Sequence, residues 1–313
     1  MLRFLLARLA AMIPILLVVA IIVFLILRLT PGDPASVIAG NNATLDDVER
    51  IREQLGLSQP LIQQFLIWIS SVLSGDMGYS FYMNQSVVSL IAQRIEPTLS
   101  LAVLTMALTV LVAVPLGTAA AWRLGGKLDR AVSALCIGGF SIPVFVVGYV
   151  LIYALALNLG WFPVQGYTPL SGGVWHWLQR LVLPSLALSL VYIALITRVT
   201  RAAVSEALTE EHVRTARAKG LSERAVLWQH GVRNAAVPIV TVLGLSVAAL
   251  LGGVVITETV FAIPGLGSLT VDAVVNRDFP VIQGVVLFFS VIYVLINLSV
   301  DFTYVLLDPR IRY

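Results

Sequence analysis

The residues able to do chemistry are few, and their spacing excludes most chemistry. His176, His212 and His230 are scattered through polar stretches and make no metal-ligand cluster. No His-Glu-x-x-His pair is present, and no nucleophile can be matched to a base from spacing. The single cysteine, Cys136, lies inside an apolar run. It reads as a small buried apolar residue and can form no intrachain disulfide. Gly126-Lys127 invites comparison with a phosphate-cradling loop, but Ala121 stands where its first glycine belongs and Leu128 where its Ser/Thr belongs. The residues therefore predict no enzyme, no metal and no bound cofactor.

The polar stretch Arg201–Pro238 carries more information. It holds Arg214, Arg217, Lys219, Arg224 and Arg233 among good helix formers, with Gly220 interrupting them. Glycine supplies the positive φ that ends a helix, and Ser222 is placed to cap the next one. The prediction is a helix–glycine–helix elbow at a membrane surface. Ala216 and Gly220 stand four apart, so one helix face would let a partner surface approach closely. Arg214 and Arg217, three apart, would reach carboxylates on that partner.

The remaining candidates sit near the ends of apolar runs. Glu258 either acts at an outer mouth or serves as an interfacial or capping residue, whereas Asp301 is read as structural. Gly252 and Gly253 either border a pathway or let helices pack closely. A stand-alone secondary transporter or channel needs midplane carboxylates. Neither acid lies there, which counts against that class.

Elements that could position these residues follow from composition. The 313 residues are 58% hydrophobic and 12% charged, against about 25% charged in soluble domains. Six apolar runs predict an all-α polytopic membrane protein: Leu9–Leu27, Leu99–Trp122, Ala131–Leu157, Leu181–Thr197, Ala235–Thr257 and Val281–Val300. The first run is too long for a signal-peptide core and reads as a retained helix. Pro31-Gly32-Asp33-Pro34 breaks the chain after it. Between 31 and 97, Leu45, Val48, Ile51 and Leu55 make a helical stripe, Pro60–Leu73 a second amphipathic piece, and Ser86–Ile95 a third short helix. Pro143 predicts a kink in the third span. The domain reading is an N-terminal transmembrane helix over 1–30, a small extracytoplasmic subdomain over 31–97, and a transmembrane core over 98–313 that contains the polar loop 201–238. Two glycosylation sequons, Asn42-Ala43-Thr44 and Asn84-Gln85-Ser86, read as chance matches.

With the N-terminus in the cytoplasm, only Arg28, Arg50, Arg52, Arg94, Arg180 and Arg277 fall outside. The other fourteen of the twenty Lys and Arg fall inside, as the positive-inside tendency requires. Both termini and the elbow are then cytoplasmic.

The run Arg214-Thr215-Ala216-Arg217-Ala218-Lys219-Gly220, continuing to Val237-Pro238-Ile239-Val240, resembles the cytoplasmic loop of inner-membrane permeases of the oligopeptide/dipeptide/nickel class of ABC importers. Arg28-Leu29-Thr30-Pro31-Gly32-Asp33-Pro34 and Thr257-Glu258-Thr259-Val260-Phe261 ahead of Pro264-Gly265-Leu266-Gly267 resemble that class too. In such families a Glu-Ala-Ala-x-x-x-Gly loop docks onto the ATPase. Here Arg214-Thr215-Ala216 stands in place of Glu-Ala-Ala, Gly220 matches the glycine, and eighteen positions separate it from Pro238. The resemblance implies the importer permease fold in a bacterial inner membrane. It further implies a second homologous permease, two cytoplasmic ATP-binding subunits and an extracytoplasmic substrate-binding protein as partners. The solute it implies is a di- or oligopeptide, with nickel chelate, glutathione or oligosaccharide as alternatives. Arg214, Thr215, Ala216, Arg217 and Gly220 would form the ATPase-coupling loop.

Overall fold

The computed structural model describes residues 2–29, 44–54, 57–80 and 82–307. The Pro31–Pro34 break, the Asn42-Ala43 part of the first sequon, Leu55 and the 308–313 tail lie outside the described residues. Among the described residues the architecture is all-α apart from one two-stranded ribbon. Four helices are long and apolar enough to cross a membrane, and a fifth crossing comes from one sharply bent pair. The apolar stretch Ala10–Ile26 of the first helix coincides with the first predicted span.

The chain forms two compact units, Met1–Ile95 with Leu269–Val294 and Glu96–Ser268 with Leu295–Tyr313. In the first unit α1 (Leu2–Leu29) runs through Pro14. It is followed by α2 (Leu45–Gln54), α3 (Leu61–Leu73) and the antiparallel ribbon β1 (Tyr79–Ser80) with β2 (Gln85–Ser86). An aromatic cluster joins α1 to α3: the Phe24 and Phe65 rings meet edge-on at 5.2 Å, and Trp68 lies 5.7 Å from Phe24. The Arg28 guanidinium covers the Phe24 face at 3.7 Å and donates to Gln64 Oε1 at 2.9 Å. Gln64 in turn donates to the Gln59 and Leu57 carbonyls. A polar group that leaves water is thus fully employed.

Also in this unit, Ser80 donates to the Asp278 carboxylate and accepts from the Met83 N–H. Both Ser80 and Asp278 are buried. Burial pushes the Asp278 carboxyl up, against the opposing pull of that hydroxyl and of the Val281 N–H.

The sequence predicts a separate short helix over Ser86–Ile95 and a span beginning at Leu99. The structure joins them into one helix, α4 (Val87–Trp122), with Pro97 and Pro115 inside it. Proline is tolerated in apolar helices where neighbours re-satisfy the freed backbone.

The second unit is built on close helix contacts. It holds α5 (Lys127–Ser141), α6 (Val144–Leu151) continuing as a π-helical stretch Ile152–Asn158, and α7 (Val174–Ala207). After them come α8 (Glu211–Ala218), α9 (Glu223–Ala225) with a second π-helical stretch Val226–Val232, and α10 (Ala236–Val260). The chain then enters α11 (Leu266–Val275), whose residues from Leu269 on belong to the first unit, and α12 (Phe279–Leu307), which returns to the second unit from Leu295 on.

The expected kink at Pro143 is a 99° break between α5 and α6. The span expected to begin at Leu181 starts earlier, at Val174, because Trp175 and Trp177 belong to the helix. Glycines set the crossings. A Cβ on Gly117 would lie 2.6 Å from Thr200 Cβ, and one on Gly139 would lie 3.1 Å from Ala194 Cβ. Small residues let helices approach where lipid removes the hydrophobic drive between them. Leu111 and Leu135, on the outer faces, are 70% and 71% exposed, as lipid-facing residues would be.

Candidate functional site

The elbow forms as the residues demand. Gly220 takes φ +82°; its N–H donates to the Arg217 carbonyl at 2.9 Å, and the Leu221 N–H to the Ala216 carbonyl at 3.3 Å. That pair of bonds is a Schellman cap, which needs a left-handed residue at this position. A Cβ on Gly220 would meet nothing within 4 Å, so the requirement is conformational and not steric. Ser222 Oγ accepts from the Ala225 N–H and starts the second arm.

Side chains on this elbow point otherwise than the four-residue spacing predicts. Ala216 and Val213 are buried on α8, which packs against the chain's own second arm, while Arg214, Thr215, Arg217 and Gly220 are exposed. The small alanine serves internal packing, and Gly220 lies beyond the helix end, so the two do not form one open face. Arg214 pairs with Glu211 at 2.9 Å and Arg217 with Glu223 at 2.9 Å, both within the chain. Arg217 thereby staples one arm of the elbow to the other. Exposed pairs of this kind are worth about 0–1 kcal/mol, so a partner carboxylate can displace either.

Two further contacts fix the elbow, and neither was legible from spacing. His212 faces Glu210 through Nδ1 at 3.0 Å and Asn234 through Nε2 at 2.8 Å, and its ring lies 5.7 Å from that of His230. The fold thus brings together two histidines that stand eighteen positions apart. At the elbow's root Arg201 holds Asp129 through both carboxylate oxygens, Nη2 to Oδ2 at 2.8 Å, and the Gly125 N–H donates to Oδ2 at 2.9 Å. Asp129 is 4% exposed. A buried carboxylate needs this many donors, since an unpaired one would cost several kcal/mol. The pair ties the start of α5 to the end of α7, from which the elbow departs.

Glu258 belongs to a second polar centre. It is fully buried. Oε1 accepts from the Thr98 hydroxyl at 2.6 Å, Oε2 accepts from the Ser268 N–H at 2.9 Å, and Thr98 Oγ1 accepts from the Leu266 N–H at 2.8 Å. A carboxylate at the start of α11 satisfies donors that a helix N-terminus leaves orphaned. Cβ atoms on Gly265 or Gly267 would collide with this carboxylate, which is why Pro264-Gly265-Leu266-Gly267 follows the acid. Of the two readings of Glu258, the geometry is that of a cap. Gly253 packs against Leu188 and Tyr192, whereas Gly252 faces open space. Beside this centre, Glu96 Oε1 accepts from the Tyr167 hydroxyl at 3.0 Å and the Leu170 N–H at 2.9 Å, holding the loop that leads into α7. Among the described residues no three His, Cys, Asp or Glu side chains converge on a metal position.

Residues 113–313 match the family described as binding-protein-dependent transport system inner membrane component, and residues 1–102 match its N-terminal region. A Sinorhizobium fredii protein named "Probable peptide ABC transporter permease protein" is 53% identical over 310 residues, 99% of each chain. An Escherichia coli protein named as a glutathione transport system permease is 43% identical over 314 residues, 100% of each chain. Among solved structures, an inward-facing conformation of the methionine ABC transporter MetNI matches 70% of this chain and 96% of its own, with a TM-score of 0.59 at 18% identity. That likeness shows the fold.

Proposed function

Given that the chain belongs to the family of inner membrane components of binding-protein-dependent transport systems, we propose that it forms half of a transmembrane pathway for peptides. ATP hydrolysis on partner subunits would drive the transport. The permease role follows from the family. The peptide follows from the Sinorhizobium fredii relative, whose match spans both chains end to end. That full-length match is the observation that carries the reading. The glutathione-transport relative supports a second solute of the same chemistry, since glutathione is itself a small peptide.

The complex we infer contains a second homologous permease, two cytoplasmic ATP-binding subunits and an extracytoplasmic binding protein. Both termini and the elbow face the cytoplasm, and 31–97 forms the extracytoplasmic subdomain. Exposed residues Arg214, Thr215, Arg217 and Gly220 present the elbow to the ATPase, while Ala216 holds it to the chain's own core. Closure of the ATPases moves the elbow as a lever. The Asp129–Arg201 tie carries that motion to α5 and α7, in a rigid-body switch between two packed states. Glu258 stands at the outer end of α10 and, by fixing α11, shapes the outer mouth together with Gly252 and Gly253.

Uptake into vesicles holding the whole complex tests the reading. Labelled di- and oligopeptides, and separately glutathione, should enter only with ATP and binding protein present. Uptake by this chain alone, driven by a proton gradient, would overturn it.

A further inference from the structure

At the elbow end of α5 and α7 the structure opens a pocket of about 300 Å³, lined by Val132, Ser133, Cys136, Ile137, Phe140, Thr197, Arg198 and Arg201. Its polarity is graded. Arg198, Arg201 and Ser133 lie toward the end that leads to the elbow, and Ile137 and Phe140 lie toward the bilayer interior. From Ser133 to Phe140 the helix rises about 10 Å at 1.5 Å per residue. Both cations have the same sign, but only one is neutralised. Arg201 spends its guanidinium on Asp129, whereas among the described residues nothing pairs with Arg198, and Ser133 Oγ has no hydrogen-bond partner. Ile137 and Phe140 are 69% and 45% exposed, so the apolar end opens outward.

We propose that this pocket binds an anionic glycerophospholipid. The phosphate sits on Arg198 and the Ser133 hydroxyl, and the start of one acyl chain lies along Cys136, Ile137 and Phe140. Three observations favour a lipid over other anions. The apolar half would leave a free phosphate with nothing to cover it. The volume suits a headgroup and the first methylenes. The free cation directly follows the apolar run Leu181–Thr197, the place on a membrane helix where basic pockets meet headgroups. Because the pocket shares Arg201 with the tie at the elbow's root, its occupant would brace α5 against α7 where the lever departs. The inference goes beyond the transport reading and does not depend on the solute.

Cys136 lines the pocket and is the chain's single cysteine, which makes it a reporter. The full chain in nanodiscs of phosphatidylcholine alone, or with phosphatidylglycerol added, is treated with a small thiol reagent. Phosphatidylglycerol should slow Cys136 modification by about fivefold, the weight of one arginine at an anionic surface. Arg198→Gln, at an exposed position without a partner, should abolish the protection, and Arg198→Lys should restore part of it. Native mass spectrometry should show phosphatidylglycerol retained by the wild type and lost from Arg198→Gln. Equal rates in both lipids, or full protection in Arg198→Gln, would overturn the proposal. Protection by inorganic phosphate in phosphatidylcholine alone would equally overturn it, in favour of a free-anion site. Neither ATP nor solute is present, so failure here leaves the transport reading standing.

Discussion

Glu258 shows what a single acid can do where water is scarce. Its two oxygens accept from Thr98 and Ser268, and the glycines after it leave it room. Hydrogen bonds to a charged group contribute about 1.5–3 kcal/mol each, and orphaning their partners costs the desolvation of those partners as well. Glu258→Leu should therefore lower the melting temperature and the folded yield more than Glu258→Gln, which keeps an acceptor for one donor. Gly265→Ala should cost about 1–3 kcal/mol through overpacking, since its Cβ meets the carboxylate. Thermal unfolding in detergent measures both. A Glu258→Leu protein as stable as the wild type would remove the acid from its capping role.

The elbow acts as an element, and its parts do separate work. Gly220 is exposed and sterically free but held at φ +82°. A β-branched residue there faces a left-handed penalty of about 1–2 kcal/mol, which loosens the cap without touching the spans. Gly220→Val should leave the protein inserted and reduce ATPase association and coupled uptake. Ala216→Trp should act differently from a docking-face change, because Ala216 is 6% exposed. It should unseat α8 from the second arm and lower stability in the isolated chain, before any partner is present. Co-purification of the ATPase subunits together with melting of the isolated chain separates the two. If Gly220→Val retains full association and normal uptake, the elbow does not couple.

At the scale of the molecule, the distribution of basic residues sets the expected orientation. A cysteine at Thr215 in a Cys136→Ser background should react with a membrane-impermeant reagent only when the cytoplasmic face is opened. Labelling from the intact outer side would invert the topology and remove the elbow from any cytoplasmic ATPase. The same background with a cysteine at Ser71, in α3, should label from the outside.

How much of this was legible depends on how local the cause is. Apolar runs of helix-spanning length, the Schellman glycine at Gly220 and the Ser222 cap were all readable, because hydropathy and φ preference act on neighbouring residues. The sequence by itself therefore determined an all-α membrane protein of the importer-permease family with a polar elbow between two apolar helices. Other features join residues too far apart for any periodicity to pair them: Asp129 with Arg201, Thr98 with Glu258, Ser80 with Asp278, and His212 with His230. The inward turn of Ala216 was hidden for a related reason: spacing tells which residues share a helix face, not what that face packs against. Pro143 permits either a kink or a break. The fold chose a 99° break and continued through α4's two prolines unbroken, since the neighbours that take up a proline's freed backbone groups are tertiary partners. Only the packed structure assigned the buried charges their donors, because a carboxylate removed from water must find them wherever the chain brings them.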